Sequence, residues 1–140
     1  MDLSLEPVTS EELFGKNRIT MVNIWATYCG YCIEEMPDLE KLSHSLEEKD
    51  CGIIGMVGDI RGVDDRELIE EAKKIIEATG VTYPNVLPWD NWMDMLPVPG
   101  YPTTYFVDSE GRVIGEPAVG ARGAADYEAL VDEALAALEQ

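Results

Sequence analysis

The chain has 140 residues, of which 46% are hydrophobic and 27% charged, a composition typical of a soluble globular protein. Acidic residues outnumber basic residues by 28 to 10, and the net charge of −18 repels phosphate backbones and anionic lipid surfaces. This balance excludes nucleic acid as a partner and predicts a well-solvated monomer. Three cysteines are too few for a disulfide framework, so the fold must be stabilised by its core.

The N-terminal segment, residues 1–18, precedes the first predicted strand. Thr9 and Glu12 have the spacing of a capping box, and Gly15 ends the short helix that they begin. The run that follows, ITMVNIWA from Ile19 to Ala26, is almost continuously apolar. It predicts a strand that is buried on both faces.

Apolar residues then recur at helical spacing to about Lys49, which predicts a long amphipathic helix. A second buried strand is predicted over Cys51 to Asp59, and another helix from Asp64 to Thr79. Five prolines between Pro84 and Pro102 predict a rigid loop over 84–102 with at most one short helix.

The C-terminal part predicts a hairpin of strands 103–108 and 112–116, followed by a helix that begins near Ala124. Strands and helices thus alternate along the chain, and no segment is repeated. This order predicts an α/β fold with a central mixed β-sheet flanked by helices. We expect a single domain over residues 1–140.

Cys29 and Cys32 lie where the first buried strand ends and the long helix begins. The unpaired N–H groups and partial positive charge of a helix N-terminus stabilise a thiolate, which is the form that attacks disulfides. Cys29 is therefore the predicted nucleophile. Cys32, one turn further into the helix, would resolve a mixed disulfide by attacking Cys29.

The alternative is a metal site, because Cys29, Cys32, His44 and Cys51 could supply four soft ligands. A helix from residue 32 to residue 44 would span about 18 Å, whereas ligand bonds to one zinc ion are about 2 Å long. The spacing therefore favours redox chemistry. His44 is then a solvated helix residue, and Cys51 a small residue of the core.

Three segments resemble a known family. VNIWATYCGYCIEEMPDLEKL resembles the active-site segment of the thioredoxin superfamily, and more closely that of the TlpA/ResA-like thiol-disulfide oxidoreductases, with the pattern V-N-F-W-A-T-W-C-x-P-C-x-x-E-x-P. GIIGMVGD and GYPTTYFVDSEGRVIGE resemble the second strand and the Pro-Thr-Thr hairpin of that family. The resemblance covers most of the chain from Ile19 onward. It implies a thioredoxin fold that needs no cofactor and no metal.

The resemblance also implies roles for individual residues. Pro102 would be a cis-proline that faces the cysteines and, with Tyr101, helps to seat the substrate backbone; the alternative is an ordinary trans proline at a strand start. Trp25 would pack beside the site or contact substrate. Glu35 falls on the family's acidic position, where a carboxylate raises the pKa of the nearby thiols and suits a reductant. The alternative, a favourable charge in the first turns of a helix, is preferred for Glu34.

Three positions compare this chain with its relatives and with classical thioredoxins. Asn23 stands where classical thioredoxins carry a buried acid, which favours the TlpA/ResA-like group. Tyr28 stands where tryptophan is commoner, and Tyr31 replaces the usual proline before the second cysteine. Because the residues between the cysteines help to set the reduction potential, the direction of electron flow stays open.

The function implied is a thiol-disulfide oxidoreductase that reduces disulfides of exported partner proteins and is recharged by a membrane thiol donor. The alternatives are a disulfide donor or isomerase that runs in the opposite direction, and a non-catalytic thioredoxin-fold binding module. The resemblance implies an extracytoplasmic location, with membrane association through an N-terminal segment absent from this chain. A cytoplasmic location is the alternative.

Overall fold

The computed structural model describes residues 1–90 and 92–138. Asn91, in the predicted proline-rich loop, and Glu139 and Gln140, at the end of the predicted domain, lie outside the described residues. The helices and strands of the described part follow in the order α1 (Ser10–Phe14), β1 (Ile19–Trp25), α2 (Gly30–Glu47), β2 (Cys51–Val57), α3 (Arg66–Thr79), β3 (Asn85–Val86), α4 (Trp92–Met95), β4 (Thr103–Asp108), β5 (Ala118–Val119) and α5 (Ala124–Leu138).

The strands form one mixed sheet in the order β3-β2-β1-β4-β5. The central strand, β1, pairs in parallel with β2, where Ile19 lies opposite Cys51, and antiparallel with β4, where Ile19 lies opposite Asp108. Every residue of β1 is buried, in agreement with its almost continuous apolar sequence. The predicted mixed sheet with flanking helices is confirmed.

The two faces of the sheet are covered differently. Because side chains alternate along a strand, Met21 and Trp25 of β1 pack on the side covered by α2, α3 and α5, which we call the helical face. Val22 and Ile24 pack on the opposite side, against α1 and the segment around α4, which we call the loop face. The long amphipathic helices thus all lie on one side of the sheet.

The position predicted for the second strand of the hairpin is wrong. In the predicted segment 112–116 only Val113 forms a bridge, with Val107, and the strand that pairs with β4 is Ala118–Val119. Gly115 has a φ of +71°, and Pro117 has no N–H to donate to a ladder. These two residues interrupt the pairing, so that it resumes only at Ala118.

The proline-rich loop is more structured than its sequence indicates, since it contains β3, paired with β2, as well as the short helix α4. A strand of two residues carries no periodicity that could predict it. Helix α3 begins at Arg66, with Asp65 at the N-cap position, two residues after the predicted start. In the described part of the chain no helix combines the length and the apolar character needed to cross a bilayer.

Candidate active site

The cysteine pair lies at the N-terminus of α2, directly after the buried strand β1. Cys29 is the N-cap residue of α2, and its Sγ accepts a hydrogen bond of 3.2 Å from the backbone N–H of Cys32. The two cysteines form a disulfide with their Cα atoms 5.3 Å apart, an ordinary spacing for a disulfide. The strand-to-helix junction therefore positions both sulfur atoms against the positive end of the helix.

The two cysteines differ in access. Cys29 is 8% exposed and Cys32 is fully buried, so Cys29 is the more accessible of the two. The flanking aromatic side chains, Tyr28 and Tyr31, are exposed by 73% and 72%. This asymmetry agrees with a nucleophile at Cys29 and a protected resolving thiol at Cys32.

Asp59 holds the turn that leads into Cys29. Its two carboxylate oxygens each lie 3.2 Å from the backbone N–H of Thr27, and Oδ2 accepts a hydrogen bond of 2.5 Å from the Thr27 hydroxyl. Sequence reasoning did not select Asp59. A signal was present, because an acid directly after β2 must lie at the same sheet edge as the end of its parallel neighbour β1.

Tyr101 and Pro102 lie beside this turn. The Tyr101-Pro102 peptide bond is cis, as the resemblance implied. Thr103 lies opposite Ile24 in the β1–β4 ladder, so the preceding proline is placed alongside the end of β1. The Tyr101 ring meets the Tyr28 ring edge to face, with centroids 6.0 Å apart. The cis-proline segment and the cysteine turn thus form one continuous surface.

Trp25 is a packing residue in this structure. It is 1% exposed, and its Nε1–H donates a hydrogen bond of 2.9 Å to Oδ1 of Asn85 in β3. A buried indole whose N–H is already bonded leaves no surface for a bound substrate. The substrate-contact role predicted for Trp25 is therefore corrected, while the packing alternative agrees with its position.

Glu35 lies one turn beyond Cys32 on the buried side of α2 and is only 7% exposed. Its carboxylate accepts hydrogen bonds from the Tyr127 hydroxyl at 3.1 and 3.2 Å, the Arg122 backbone N–H at 3.3 Å and Asn23 Nδ2 at 3.5 Å. Burial raises the pKa of Glu35 to about 7, and the bonds from Arg122, Tyr127 and Asn23 oppose this rise. Its neighbour Glu34 is exposed, so the two acids lie in different environments.

Glu35 belongs to a polar cluster, defined as Asn23, Glu35, Thr104 and Tyr127, within the otherwise apolar helical face. Asn23 Nδ2 donates to the Thr104 hydroxyl at 3.1 Å, while Asn23 Oδ1 has no partner among the described residues. Sequence reasoning did not select Tyr127. A fully buried tyrosine needs a partner for its hydroxyl, which is the signal that could have found it.

The four candidate metal ligands are not brought together. His44 is exposed on α2, where its Nε2 lies 2.7 Å from Oε2 of Glu40, and Cys51 is buried at the start of β2. No group of three or more His, Cys, Asp or Glu side chains among residues 1–90 and 92–138 is placed to hold a metal ion.

The mixed sheet, the cysteine pair at the start of a helix and the adjacent cis-proline define a thioredoxin-fold protein. The chain belongs to the Redoxin family, whose model matches residues 1–131. Among solved structures, a thiol:disulfide interchange protein of the thioredoxin family from Chlorobium tepidum superposes with a TM-score of 0.76. It is 23% identical, and the match covers 96% of this chain and 90% of that chain. The predicted thioredoxin fold is confirmed.

The chain is also similar in sequence to two thiol-disulfide proteins. The chain is 29% identical over 114 residues to the thiol-disulfide oxidoreductase ResA of Halalkalibacterium halodurans, covering 81% of this chain and 60% of that protein. It is 30% identical over 115 residues to the thiol:disulfide interchange protein DsbE of Pasteurella multocida, covering 80% and 57%. The TlpA/ResA-like resemblance is thus confirmed, and the chain spans less than two thirds of the length of these relatives.

Proposed function

We propose that this chain is a protein-disulfide reductase, a thiol-disulfide oxidoreductase that reduces disulfides of exported partner proteins. The observation that carries the proposal is the Cys29–Cys32 pair at the N-terminus of α2, in which Cys29 is the more accessible cysteine. The ResA and DsbE relatives, a thiol-disulfide oxidoreductase and a thiol:disulfide interchange protein, support the same chemistry.

In the first step, the Cys29 thiolate attacks one sulfur of the partner disulfide. The partner S–S bond breaks, one partner sulfur leaves as a thiolate that takes a proton from water, and a mixed disulfide forms at Cys29. The helix N-terminus favours the attacking thiolate through its partial positive charge. Tyr101 and Pro102, beside the turn that carries Cys29, help to seat the substrate backbone.

In the second step, the Cys32 thiol loses its proton to Glu35, and the resulting thiolate attacks the Cys29 sulfur. The mixed disulfide breaks, the second partner thiolate leaves, and the Cys29–Cys32 disulfide forms. The partner has then gained two electrons and the pair has lost two. A membrane thiol donor restores the dithiol by the reverse exchange.

Glu35 supports the reducing direction. An ionised carboxylate one turn from Cys32 disfavours a second negative charge on the thiols, so the reduced pair holds its protons until a partner docks. A dithiol whose thiolate is poorly stabilised gives up electrons more readily than one whose thiolate is strongly stabilised. A disulfide donor or isomerase would require the opposite balance, and a measured reduction potential separates the two directions.

The test is the reduction of insulin disulfides by the reduced protein. We expect Cys29→Ser to abolish this activity, because no other sulfur of the pair is exposed. Cys51→Ser is the matched control, since it removes the free cysteine in β2 and should retain activity. Full activity in Cys29→Ser would exclude the proposed mechanism, whereas a wild type that reduces no insulin would favour the binding-module alternative.

A further inference from the structure

The Glu35 carboxylate has three donors, but they are not equivalent. The Asn23 amide nitrogen lies near Oε1 and the Arg122 backbone nitrogen near Oε2, while the Tyr127 hydroxyl reaches both oxygens. The two nitrogens can only donate, so neither can accept a hydrogen bond from the O–H of a protonated carboxyl. A hydroxyl can both donate and accept.

The Tyr127 hydroxyl also has a second acceptor within reach. The Gly120 carbonyl oxygen lies 3.5 Å from it, in addition to the two Glu35 oxygens at 3.1 and 3.2 Å. With Glu35 ionised, the hydroxyl donates to the carboxylate. With Glu35 protonated, the carboxyl can donate to the Tyr127 oxygen while the hydroxyl turns and donates to Gly120. Both protonation states of Glu35 can therefore be hydrogen-bonded without moving the backbone.

We propose that Tyr127 is a positioning residue that allows the buried Glu35 to take up and release a proton, because its hydroxyl reverses direction when Glu35 changes state. This inference rests on the proposed function at one point only, the transfer of a proton from Cys32 to Glu35. One proton arrives at or leaves the Glu35 carboxyl, and the tyrosine proton stays on Tyr127. Burial and the nearby Glu35 charge raise the pKa of Tyr127, so the phenol remains neutral throughout.

The segment from Gly120 to Gly123 lies between solvent and the side chains of Glu35 and Tyr127. It supplies both the carbonyl that Tyr127 can use and the N–H of Arg122 that bonds Glu35, and its residues 121–123 are exposed. The Glu35 carboxyl is thus covered by a thin exposed loop on the side of α5, whereas Cys32 is fully buried. The solvent nearest to the Glu35 carboxyl among these contacts therefore lies at the exposed loop 121–123.

The ionisable neighbours of Glu35 are Cys32 on its own helix, Tyr127 on α5, Arg122 in the loop before α5, and Tyr83 before β3. Burial raises the pKa of Tyr83, and the negative charge of Glu35 adds to this effect. Tyr83 is thus a buried phenol close to Glu35, but the hydrogen bonds to the carboxylate come from Arg122, Tyr127 and Asn23. It provides a control for removing a nearby phenol hydroxyl.

The test is a titration of the Glu35 side-chain carboxyl by carbon-13 NMR in the oxidised protein, in which Cys29 and Cys32 do not titrate. We expect Tyr127→Phe to raise the Glu35 midpoint by about one pH unit, because the bond lost by the ionised form is charge-assisted and stronger than the bond lost by the protonated form. Tyr105→Phe is matched to it, since it removes a buried hydroxyl that donates to the Pro97 carbonyl on the loop face. Neither Tyr105→Phe nor Tyr83→Phe should move the midpoint.

An unchanged Glu35 midpoint in folded Tyr127→Phe would overturn the inference. If that variant fails to fold, 3-fluorotyrosine at position 127 keeps the hydroxyl and makes it a stronger donor. This change should lower the Glu35 midpoint, and an unchanged midpoint would again contradict the inference. These readouts do not depend on activity. Insulin reduction in Cys29→Ser tests the proposed function separately, so the failure of one can be told from the failure of the other. In the active enzyme, the pH profile of insulin reduction should shift with the Glu35 midpoint in Tyr127→Phe.

Discussion

The two faces of the central sheet bury different kinds of residue. The loop face holds Val22, Ile24 and other apolar side chains, and an apolar cavity of about 410 Å³ lies between α1 and the proline-rich loop. The helical face, under the cysteine pair, encloses the polar cluster around a carboxylate. Burying a carboxylate is unfavourable unless it is hydrogen-bonded or protonated. One face therefore stabilises the fold through apolar packing, while the other also encloses an ionisable carboxyl group.

A substitution on the loop face should change stability without changing the titration of Glu35. Ile24 is fully buried beside Asn23 in β1 but points to the opposite side of the sheet. Ile24→Ala should lower the free energy of unfolding by about 2 to 5 kcal/mol, through lost apolar contacts and the cavity left behind. Urea unfolding measures this loss. The Glu35 midpoint should stay unchanged, and a shift would mean that the two faces are coupled.

The helical face should instead show a dependence of stability on pH. The pKa of Glu35 is about 7 in the folded protein, whereas its ordinary value, which applies to the unfolded chain, is 4.5. Between these two pH values the folded state therefore binds more protons than the unfolded state. The contribution of Glu35 to stability is therefore present below pH 4.5 and is lost as the pH rises to about 7. Relative to the wild type, Glu35→Gln should become more stable by about 3 kcal/mol between pH 4.5 and pH 8.

Urea unfolding of both proteins at several pH values measures this difference. Glu34→Gln is the matched control, because the exposed neighbour of Glu35 carries the same charge on the same helix. Stability curves of the wild type and Glu35→Gln that stay parallel with pH would show that Glu35 has no raised pKa in the folded protein.

The parts of the structure that follow from local sequence could be predicted. The apolar run of β1, the helical spacing of α2 and the Cys-x-x-Cys motif at their junction each depend on neighbouring residues. The cis bond before Pro102 was available only through the family resemblance. The shift of β5 to Ala118 depends on Gly115 and Pro117, which the alternating apolar pattern of the predicted strand conceals.

The polar cluster could be predicted only in part, because its contacts join distant parts of the chain. Asn23 and Thr104 are 81 residues apart, and Glu35 and Tyr127 are 92 residues apart. A single sequence shows that Asn23 is polar within a buried strand, but it does not show which residue satisfies it. The position of Tyr127 becomes meaningful only once α5 is docked beside α2.

The central claim is that the buried Glu35 carboxylate controls the protonation of the cysteine pair. The direct measurement is the pH titration of thiolate absorbance in the reduced wild type and in reduced Glu35→Gln, with Ile24→Ala as the control. We predict a lower midpoint for the Cys29 thiolate in Glu35→Gln, since the variant removes a negative charge near the thiols. A midpoint identical to that of the wild type would contradict the claim.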